Sequence, residues 1–350
     1  MCFLVGATGG GVTSSGEALL GGVSDDPYLF RTFVQAALGP AGHIATELRY
    51  VRTAEDLPPP FEWEPGQPGR CVNAAGLAFT VALAVELESA ESATAVPFAT
   101  LCRRMMTECS SVDGAVAVLL GAGRVTPAFS VLLADAAGDL AQVEVGAFGC
   151  ALHQRYSKDK PGIVVAVNCY QCQELSSFNK AEAHLAQTTS NNGARLQRGW
   201  ELAELYKGRI DVAVLASILS DHRHRGMDCA SNPLIPYWGH SICNHGTRSQ
   251  AEYQEAAAPW GTVSAEILQP SLRTLHYCYG WPCGERAEFG DQLFQNSSWG
   301  RFVGFALPKP GSVTRNNGAV FECTTVDGRL TEEGEALRCK PLIEPSCSIG

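Results

Sequence analysis

The second residue of the chain is a cysteine, and a terminal cysteine can supply both a nucleophile and a base. Residues 1–10 read Met-Cys-Phe-Leu-Val-Gly-Ala-Thr-Gly-Gly. Because methionine aminopeptidase removes Met1 when the next residue is small, we expect a mature chain that begins at Cys2. The freed α-amine titrates near pH ~8, so part of it is neutral at pH 7 and can accept the thiol proton. Chance placement of a cysteine is the competing interpretation.

Other polar residues stand where predicted strands end. An early predicted hairpin has Asp25 and Asp26 at the end of its returning arm, and the apolar run 162–167 predicts a strand that delivers Asn168. A carboxylate beside the terminal ammonium would orient it, and Asp25 suits this better than Asp26. The Asn168 amide would donate to an oxyanion that develops on a carbonyl under attack. Taken singly, each could instead be a residue of a solvated turn.

The elements that must position these residues can be predicted from hydrophobic periodicity. A turn followed by a strand is predicted over residues 72–84. Helices are predicted over 98–106, 112–120 and 194–220, and hairpins over 128–135 with 140–145 and over 262–268 with 274–279. Because strands come as hairpins and not singly between helices, we predict an α+β protein with antiparallel or mixed sheets. Residues 40–70, rich in Pro and Gly, predict a loop or an edge excursion.

The composition and net charge of the chain argue against two classes of binding partner. The 350 residues carry a net charge of -10 and 45% hydrophobic residues, with a pI of about 5.3. An acidic surface attracts neither nucleic acid nor an anionic membrane, so we predict no nucleic-acid partner and no membrane partner. The apolar N-terminal run is short and lacks a preceding Lys or Arg, which makes it a poor signal peptide. We therefore expect a cytoplasmic protein; a homo-oligomer is compatible with the sequence.

The remaining cysteines and histidines allow other interpretations. Most of the 14 cysteines lie in apolar segments, as buried small hydrophobes do. Cys71 is an alternative nucleophile or processing point, and Cys169–Cys172 is a lone Cys-x-x-Cys without a second pair at zinc-site spacing. A set of histidines with one cysteine is either a metal site or a polar loop near a pocket. It consists of His222, His224, Cys229, His240 and His245.

Taken together, the ordered motifs resemble a known family. They are an opening Cys, a hairpin ending in Asp, the turn Asn73-Ala74-Ala75-Gly76-Leu77, two helices, a hairpin reading Leu-x-Asp-x-x-Gly-Asp, a strand ending in Asn and a late Ser-Ile-Cys. This order resembles the N-terminal-nucleophile (Ntn) hydrolase superfamily, in the branch of isopenicillin-N acyltransferase (acyl-CoA:6-aminopenicillanic acid acyltransferase), a cousin of the choloylglycine hydrolases. The resemblance covers roughly residues 2–285.

The resemblance implies a four-layer αββα fold with mostly antiparallel sheets, and cleavage or transfer of an amide-linked acyl group without a cofactor or metal. By position, it implies that Cys2 is the nucleophile and that Asp25 orients its amine. It further implies that Asn168 contributes to the oxyanion hole and that Asn73 belongs to the family's Asn-x-x-Gly turn. The substrate would be a small-molecule acyl-amide or acyl-thioester.

The chain departs from the family pattern in two places. Thr80 stands where the strand after the turn usually supplies a second oxyanion Asn. A late family arginine near the substrate has no clear counterpart in the residues around His245. Ser264 is a further candidate for contact with the substrate or the oxyanion.

We predict one catalytic domain over residues 2–307 and an irregular tail over 308–350 packed on it. The predicted function is a Cys-dependent amidohydrolase or N-acyltransferase that works through an acyl-thioester. Two alternatives stay open: a non-catalytic binding protein that retains the fold, and a metal or redox protein that uses the Cys and His clusters.

Overall fold

A computed structural model describes most of the chain. The described residues are 2–28, 30–37, 42–50, 68–180, 191–224, 227–228, 241–246, 260–285, 299–307 and 325–327. The helices in these stretches are α1 Phe98–Glu108, α2 Val112–Gly121, α3 Asn191–Leu205 and α4 Val212–Leu219. The strands are β1 Cys2–Thr8, β2 Leu19–Pro27, β3 Phe30–Ala37, β4 His43–Tyr50, β5 Pro68–Asn73, β6 Leu77–Leu83, β7 Val96–Pro97, β8 Val125–Thr126, β9 Phe129–Asp135, β10 Leu140–Gly146, β11 Gly149–Tyr156, β12 Gly162–Ala166, β13 Arg223–His224, β14 Met227–Asp228, β15 Trp260–Gln269, β16 Thr274–Tyr279, β17 Arg301–Ala306 and β18 Thr325–Asp327.

The main strands form two seven-stranded sheets. The first has the order β12-β1-β2-β15-β16-β17-β18, and the second has the order β11-β10-β9-β6-β5-β4-β3. Every neighbouring pair in both sheets is antiparallel. The hairpins expected from the sequence therefore assemble into antiparallel sheets.

Alternating side chains of β1 show how the layers stack. Phe3 and Val5 pack with Leu202 and Leu215 of α3 and α4. Leu4, between them in sequence, points the other way, since successive strand residues face opposite sides of a sheet. It belongs to an apolar cluster shared by both sheets.

The outer face of the second sheet is covered by the other two helices. Phe79 and Val131 pack with Leu101 of α1 and Leu119 of α2 in a third cluster. The order of layers is thus helices, first sheet, second sheet, helices. This arrangement confirms the α+β, four-layer αββα class.

Several predicted elements are confirmed, among them the start of α1 after Pro97 and the start of α2, where Ser111 caps the helix by accepting a hydrogen bond from Gly114 N. The prediction for residues 40–70 was wrong in part. Residues 43–50 form β4, which lies between β3 and β5 and is not an edge strand. The alternation of Ile44, Thr46 and Leu48 is a strand signal, but the many Pro and Gly residues that follow outweighed it. The triple proline at 58–60 lies outside the described residues.

Within the predicted tail, residues 308–350, the structure describes a short strand. It is β18, which pairs with β17 at the edge of the first sheet. The rest of that segment lies outside the described residues.

The register of the first sheet sets up the candidate site. Cys2 pairs with Ser24 across β1 and β2, and Ser24 pairs with Ser264 across β2 and β15. The next residue of β2, Asp25, pairs with Thr262. Directly paired residues share a face of the sheet, whereas consecutive residues do not. Cys2, Ser24 and Ser264 thus face the second sheet, and Asp25 faces α3 and α4.

Candidate active site

The backbone nitrogen of Cys2 is held by the side chain of Asn168. Cys2 N donates to Asn168 Oδ1 over 2.7 Å, although 166 residues separate the two in sequence. Asn168 comes two residues after β12, and β12 is the strand that pairs with β1. The pairing of these strands therefore brings Asn168 to the start of β1.

The Asn168 amide is fixed by three partners. Its Oδ1 accepts from Cys2 N and from Arg195 Nη2, the latter at 3.0 Å, and its Nδ2 donates to Leu83 O at 2.7 Å. Donors on one side and a carbonyl acceptor on the other determine which atom is oxygen. The amide therefore presents its oxygen to the Cys2 nitrogen.

Arg195 lies in α3 and is fully buried. Its Nη1 donates to the carbonyl oxygen of Cys2, and its Nη2 donates to both Asn168 Oδ1 and Asn192 Oδ1, the latter at 2.9 Å. The rigid guanidinium fork can serve several acceptors at once. It thereby fixes Cys2 and Asn168 relative to each other.

Asp25 lies on the α3 and α4 face of the same strand end, with 1% of its surface exposed. Its Oδ1 accepts from Thr262 Oγ1 at 2.7 Å, and Thr262 Oγ1 in turn accepts from Asn244 N at 2.7 Å. Burial raises the pKa of the Asp25 carboxyl, while the charge of Arg195 and the Thr262 hydrogen bond lower it. Asp25 is thus a positioned, buried carboxyl close to Cys2.

On the opposite face, the Cys2 side chain points toward the second sheet, where it packs against the apolar cluster between the sheets. Nearby, Arg70 of β5 reaches across to the first sheet. Its Nη1 donates to Ser24 Oγ at 2.6 Å, and its Nε lies 2.9 Å from Glu266 Oε2. A Cβ atom on Gly22 would lie 2.9 Å from two Arg70 nitrogens. The absent side chain at Gly22 therefore makes room for the guanidinium.

The charges around Cys2 oppose one another. Burial raises the pKa of the Cys2 thiol, the positive charge of Arg70 lowers it, and the carboxylates of Asp26 and Asp25 raise it. The pKa of the Asp26 carboxyl is itself raised to about 6, chiefly by burial and further by the charge of Asp25. Thiolate formation at Cys2 is thus sensitive to the protonation of its neighbours.

Ser264 and Thr80 both lie near Arg70. The Ser264 hydroxyl bonds to Glu266 Oε1 at 2.8 Å and to Thr32 Oγ1 at 3.0 Å. Thr80 is fully buried and pairs with Arg70 across β5 and β6, so the two side chains share the inner face of the second sheet. The structure brings both residues to the polar group beneath Cys2. Among the described residues, neither Ser264 nor Thr80 forms a hydrogen bond with Asn168.

Asn73 lies at the far end of β6 from this site. Its Oδ1 accepts from Leu77 N at 2.9 Å, and its Nδ2 donates to the carbonyls of Met106 and Cys109. Leu83, which bonds Asn168, is six residues further along the strand, roughly 20 Å at the usual strand rise. Asn73 thus joins the β5–β6 turn to the end of α1 and is not brought to Cys2.

His245 is buried in a different group, among Cys243, Cys283 and Trp281. Its Nε2 lies 3.5 Å from Cys243 Sγ and 3.3 Å from Cys283 Sγ. Its ring stacks on Trp281 with centroids 3.7 Å apart. His245 thus belongs to a group of thiols and aromatic rings, and its neighbour in sequence, Asn244, is linked to Asp25 through Thr262.

Arg70 and Arg195 were not predicted from the sequence. For Arg195 a signal existed, because Ala194, Leu202 and Ala203 mark the buried face of α3 and Arg195 falls on that face. A buried arginine must be paired, which makes it a candidate for a site. Arg70 has no such local signal, because its partners lie in the other sheet.

None of the described helices combines the length and the apolar character needed to cross a bilayer.

Solved structures of several hydrolases are similar to this chain. The C2A mutant of conjugated bile acid hydrolase from Clostridium perfringens has 12% identity and a TM-score of 0.44, over 95% of this chain and 98% of that one. Penicillin V acylase from Agrobacterium tumefaciens has 14% identity and a TM-score of 0.44, over 88% and 92%. The Caenorhabditis elegans ortholog of N-acylethanolamine-hydrolyzing acid amidase has 10% identity and a TM-score of 0.42, over 77% and 94%.

No curated protein matches the sequence. A family model does match, over residues 64–246, more than half of the 350-residue chain. The match includes Arg70, Asn168 and Arg195 and begins after Cys2 and Asp25. On this match, the chain belongs to the acyl-coenzyme A:6-aminopenicillanic acid acyl-transferase family.

Proposed function

We propose that this protein is a Cys2-dependent N-terminal-nucleophile enzyme that cleaves or transfers an amide-linked acyl group through an acyl-thioester. The observation that carries the proposal is the 2.7 Å hydrogen bond from Cys2 N to Asn168 Oδ1, with Arg195 bonded to both residues. Membership of a family of acyl-transfer enzymes supports the same reaction class. The proposal requires that Met1 is removed, so that Cys2 N becomes an amine.

In the first half of the reaction, the Cys2 amine takes the thiol proton and Sγ attacks the acyl carbonyl carbon, forming a C–S bond and an oxyanion. The amine then gives the proton to the leaving nitrogen as the C–N bond breaks. Asn168 Oδ1 would orient the amine by accepting one of its hydrogens. Asp25 would favour its protonated form when the proton is being carried.

The oxyanion needs a donor, and Asn168 is the candidate among the residues bonded to Cys2. An amide nitrogen carries two hydrogens, and Leu83 O accepts one of them. The second can donate to the oxyanion, an interaction typically worth about 3 kcal/mol in the transition state. Arg195 would hold the amide in place for this task.

The second half of the reaction decides between hydrolysis and acyl transfer. Water or an amine attacks the thioester carbonyl, the Cys2 amine accepts the proton of the attacking group, and the C–S bond breaks. With water the enzyme is an amidohydrolase, and with an amine it is an N-acyltransferase. An acyl-thioester could load the enzyme in place of an amide, with a thiol as leaving group.

The proposal is tested by trapping the acyl-enzyme. The purified protein is incubated with a panel of acyl-amides and acyl-thioesters, quenched in acid and analysed by intact mass and peptide mapping. We expect a chain that lacks Met1 and carries the acyl mass on the Cys2 peptide. Turnover should fall by about 10⁴-fold or more in Cys2→Ala.

The matched control is Cys150→Ala, because Cys150 is also partly exposed and lies on β11 of the other sheet. This variant should keep the adduct and the turnover. Full activity of Cys2→Ala, or an intact Met1 in an active preparation, would refute the mechanism.

A further inference from the structure

Four side chains of metal-ligand type meet outside the candidate active site. They are His222, Cys243, His245 and Cys283, and one ligand atom from each lies within 4.8 Å of the other three. They come from three separate parts of the chain: the end of α4, the segment 241–246 and the turn after β16. The two histidines and Cys243 are buried, and Cys283 is partly exposed. Three unrelated segments thus place two thiols and two imidazoles around one point.

The separations within this cluster fit tetrahedral coordination. With zinc–sulfur bonds of about 2.3 Å and zinc–nitrogen bonds of about 2.0 Å, ligand atoms in a tetrahedron lie about 3.3 to 3.8 Å apart. His245 Nε2 lies 3.5 Å from Cys243 Sγ and 3.3 Å from Cys283 Sγ. These ligand pairs are already at the distances that a shared ion would require.

The surroundings of the cluster have the features of a metal site's outer shell. His245 directs Nε2 to the sulfurs, while its Nδ1 lies 3.5 Å from Glu285 Oε2. His222 Nδ1 lies 3.9 Å from the other oxygen of the same carboxylate. A carboxylate at the far nitrogen orients a ligating imidazole and raises its basicity. The backbone nitrogen of Glu285 also donates to Cys283 Sγ at 3.4 Å, a bond that favours a thiolate.

We propose that His222, Cys243, His245 and Cys283 bind one zinc ion as a structural site. Mixed thiolate and imidazole ligands select zinc over the hard cations magnesium and calcium. Two thiolates balance the charge of Zn²⁺, so the loaded site adds no net charge to the interior. Four protein ligands leave no position for water, and this is the mark of a structural and not a catalytic zinc.

The site also bears on the geometry next to Cys2, a consequence that rests on the proposed function. Asn244 lies between two of the ligands, and its backbone is bonded to Thr262 in both directions: Asn244 N donates to Thr262 Oγ1, and Thr262 N donates to Asn244 O, each at 2.7 Å. Thr262 Oγ1 then donates to Asp25. A metal that fixes segment 241–246 would fix the hydroxyl that positions Asp25.

The proposal is tested first on the unaltered full-length protein. Elemental analysis of protein purified without chelator should give about one zinc per chain. After removal of zinc with a chelator under reducing conditions, titration with Co²⁺ should produce the thiolate-to-cobalt charge-transfer absorption and the strong d–d bands of a tetrahedral site. Neither readout depends on turnover, so a failure of the proposed acyl chemistry would leave both unchanged.

Variants locate the site. Cys283→Ser should lose the zinc and the cobalt charge-transfer band, whereas the control Cys150→Ser should keep both at full stoichiometry. Glu285→Gln should still bind zinc, with an affinity lower by about 10-fold. If Cys283→Ser does not fold, the cobalt spectrum of the unaltered protein decides alone.

Two results would overturn the proposal. One is a folded, reduced protein that takes up neither Zn²⁺ nor Co²⁺. The other is a Cys243–Cys283 disulfide in freshly purified protein, found by non-reducing peptide mapping, because a disulfide would consume both sulfur ligands.

Discussion

Cys2 and the Cys243–Cys283 pair are two thiol regions joined through Thr262, yet their surroundings differ in kind. Burial raises the pKa of the Cys2 thiol, and among the neighbouring charges Arg70 lowers this pKa while Asp26 and Asp25 raise it. The other two sulfurs contact the imidazole of His245. A single thiol among opposing charges is suited to react, because small changes in those charges alter its thiolate fraction. Two thiols that share imidazoles are suited to hold an ion. The kind of neighbouring group distinguishes the two thiol regions.

The largest effect on activity is expected from Arg195→Lys, which tests whether Arg195 acts by positioning Cys2 or only by its positive charge. Arg195→Lys keeps a positive charge but cannot donate to Cys2 O, Asn168 and Asn192 together, as the guanidinium does. Misplacement of the Cys2 nitrogen by about 1 Å should lower kcat/KM by about 100-fold. Steady-state kinetics measure this, and zinc content should not change.

The comparator for that variant is Arg198→Lys on the same helix. Arg198 makes a two-pronged ion pair with Asp221, the neighbour of His222. This change should lower the melting temperature and leave kcat/KM within about threefold, since the pair stabilises the fold. Equal losses of kcat/KM in both variants would mean that Arg195 has only a structural role.

A second prediction concerns the positive charge of Arg70 near Cys2. It can be removed together with the charge of its partner Glu266, so that no unpaired charge stays buried. Arg70 and Glu266 are both buried and paired, so Arg70→Met alone should cost about 3 kcal/mol of stability. The double variant Arg70→Met, Glu266→Gln should fold better than the single one. Without the Arg70 charge the Cys2 thiol pKa rises, and iodoacetamide should alkylate Cys2 about 10-fold more slowly at pH 7.

Alkylation of Cys2 at an unchanged rate in the folded double variant would show that Arg70 does not tune this thiol. The alkylation rate of Cys150, measured in the same peptide maps, serves as the internal reference, because Cys150 is partly exposed and lies on β11, whereas Arg70 lies on β5.

The smallest effect concerns pH. Asp26, whose pKa is raised to about 6, is protonated below that pH and ionised above it, and its ionised form raises the Cys2 thiol pKa. Asp26→Asn should therefore leave alkylation of Cys2 unchanged near pH 5 and speed it by about threefold near pH 7.5. Rate constants across this range measure the difference. A faster rate already at pH 5 would contradict the assignment.

The raised pKa of Asp26 also predicts how the stability of the fold changes with pH. An acid whose pKa is higher in the folded state holds a proton that the unfolded chain releases, so folding is favoured less as pH rises from about 4 to about 6. Wild type should lose stability relative to Asp26→Asn over this window. Urea midpoints at pH 4.5 and 7 give the comparison.

Much of the fold could be predicted because its signals are local. The apolar runs of β9 and β10, the apolar run of α2 and the strand that ends before Asn168 are all visible in short windows. The strand β4 was missed because its alternation is short and adjoins many Pro and Gly residues. Its place between two other strands depends on pairing partners that no short window contains.

The candidate site divides in the same way. Asn168 could be placed near Cys2 from the order of strands and the family resemblance. Arg70 could not, because it reaches Ser24 from the opposite sheet, 46 residues away in sequence. Asn73 lies in the expected Asn-x-x-Gly motif, but its side chain holds the β5–β6 turn against the end of α1. Of the four proposed metal ligands, the sequence indicated His222 and His245 as metal candidates but not Cys243 and Cys283, because the fold brings these two cysteines together from separate segments. Cys229 and His240, which belonged to the same sequence-based candidate set, lie outside the described residues.

The hydrogen bond between Thr262 and Asp25 spans 237 residues, which has a consequence for the protein during its synthesis. Because synthesis runs from the N-terminus, β2 with Asp25 is made well before β15 with Thr262. Contacts between distant segments form late in folding. Asp25 therefore lacks its Thr262 partner until β15 joins the first sheet, and under the proposed function Cys2 would gain its full reactivity only at that stage.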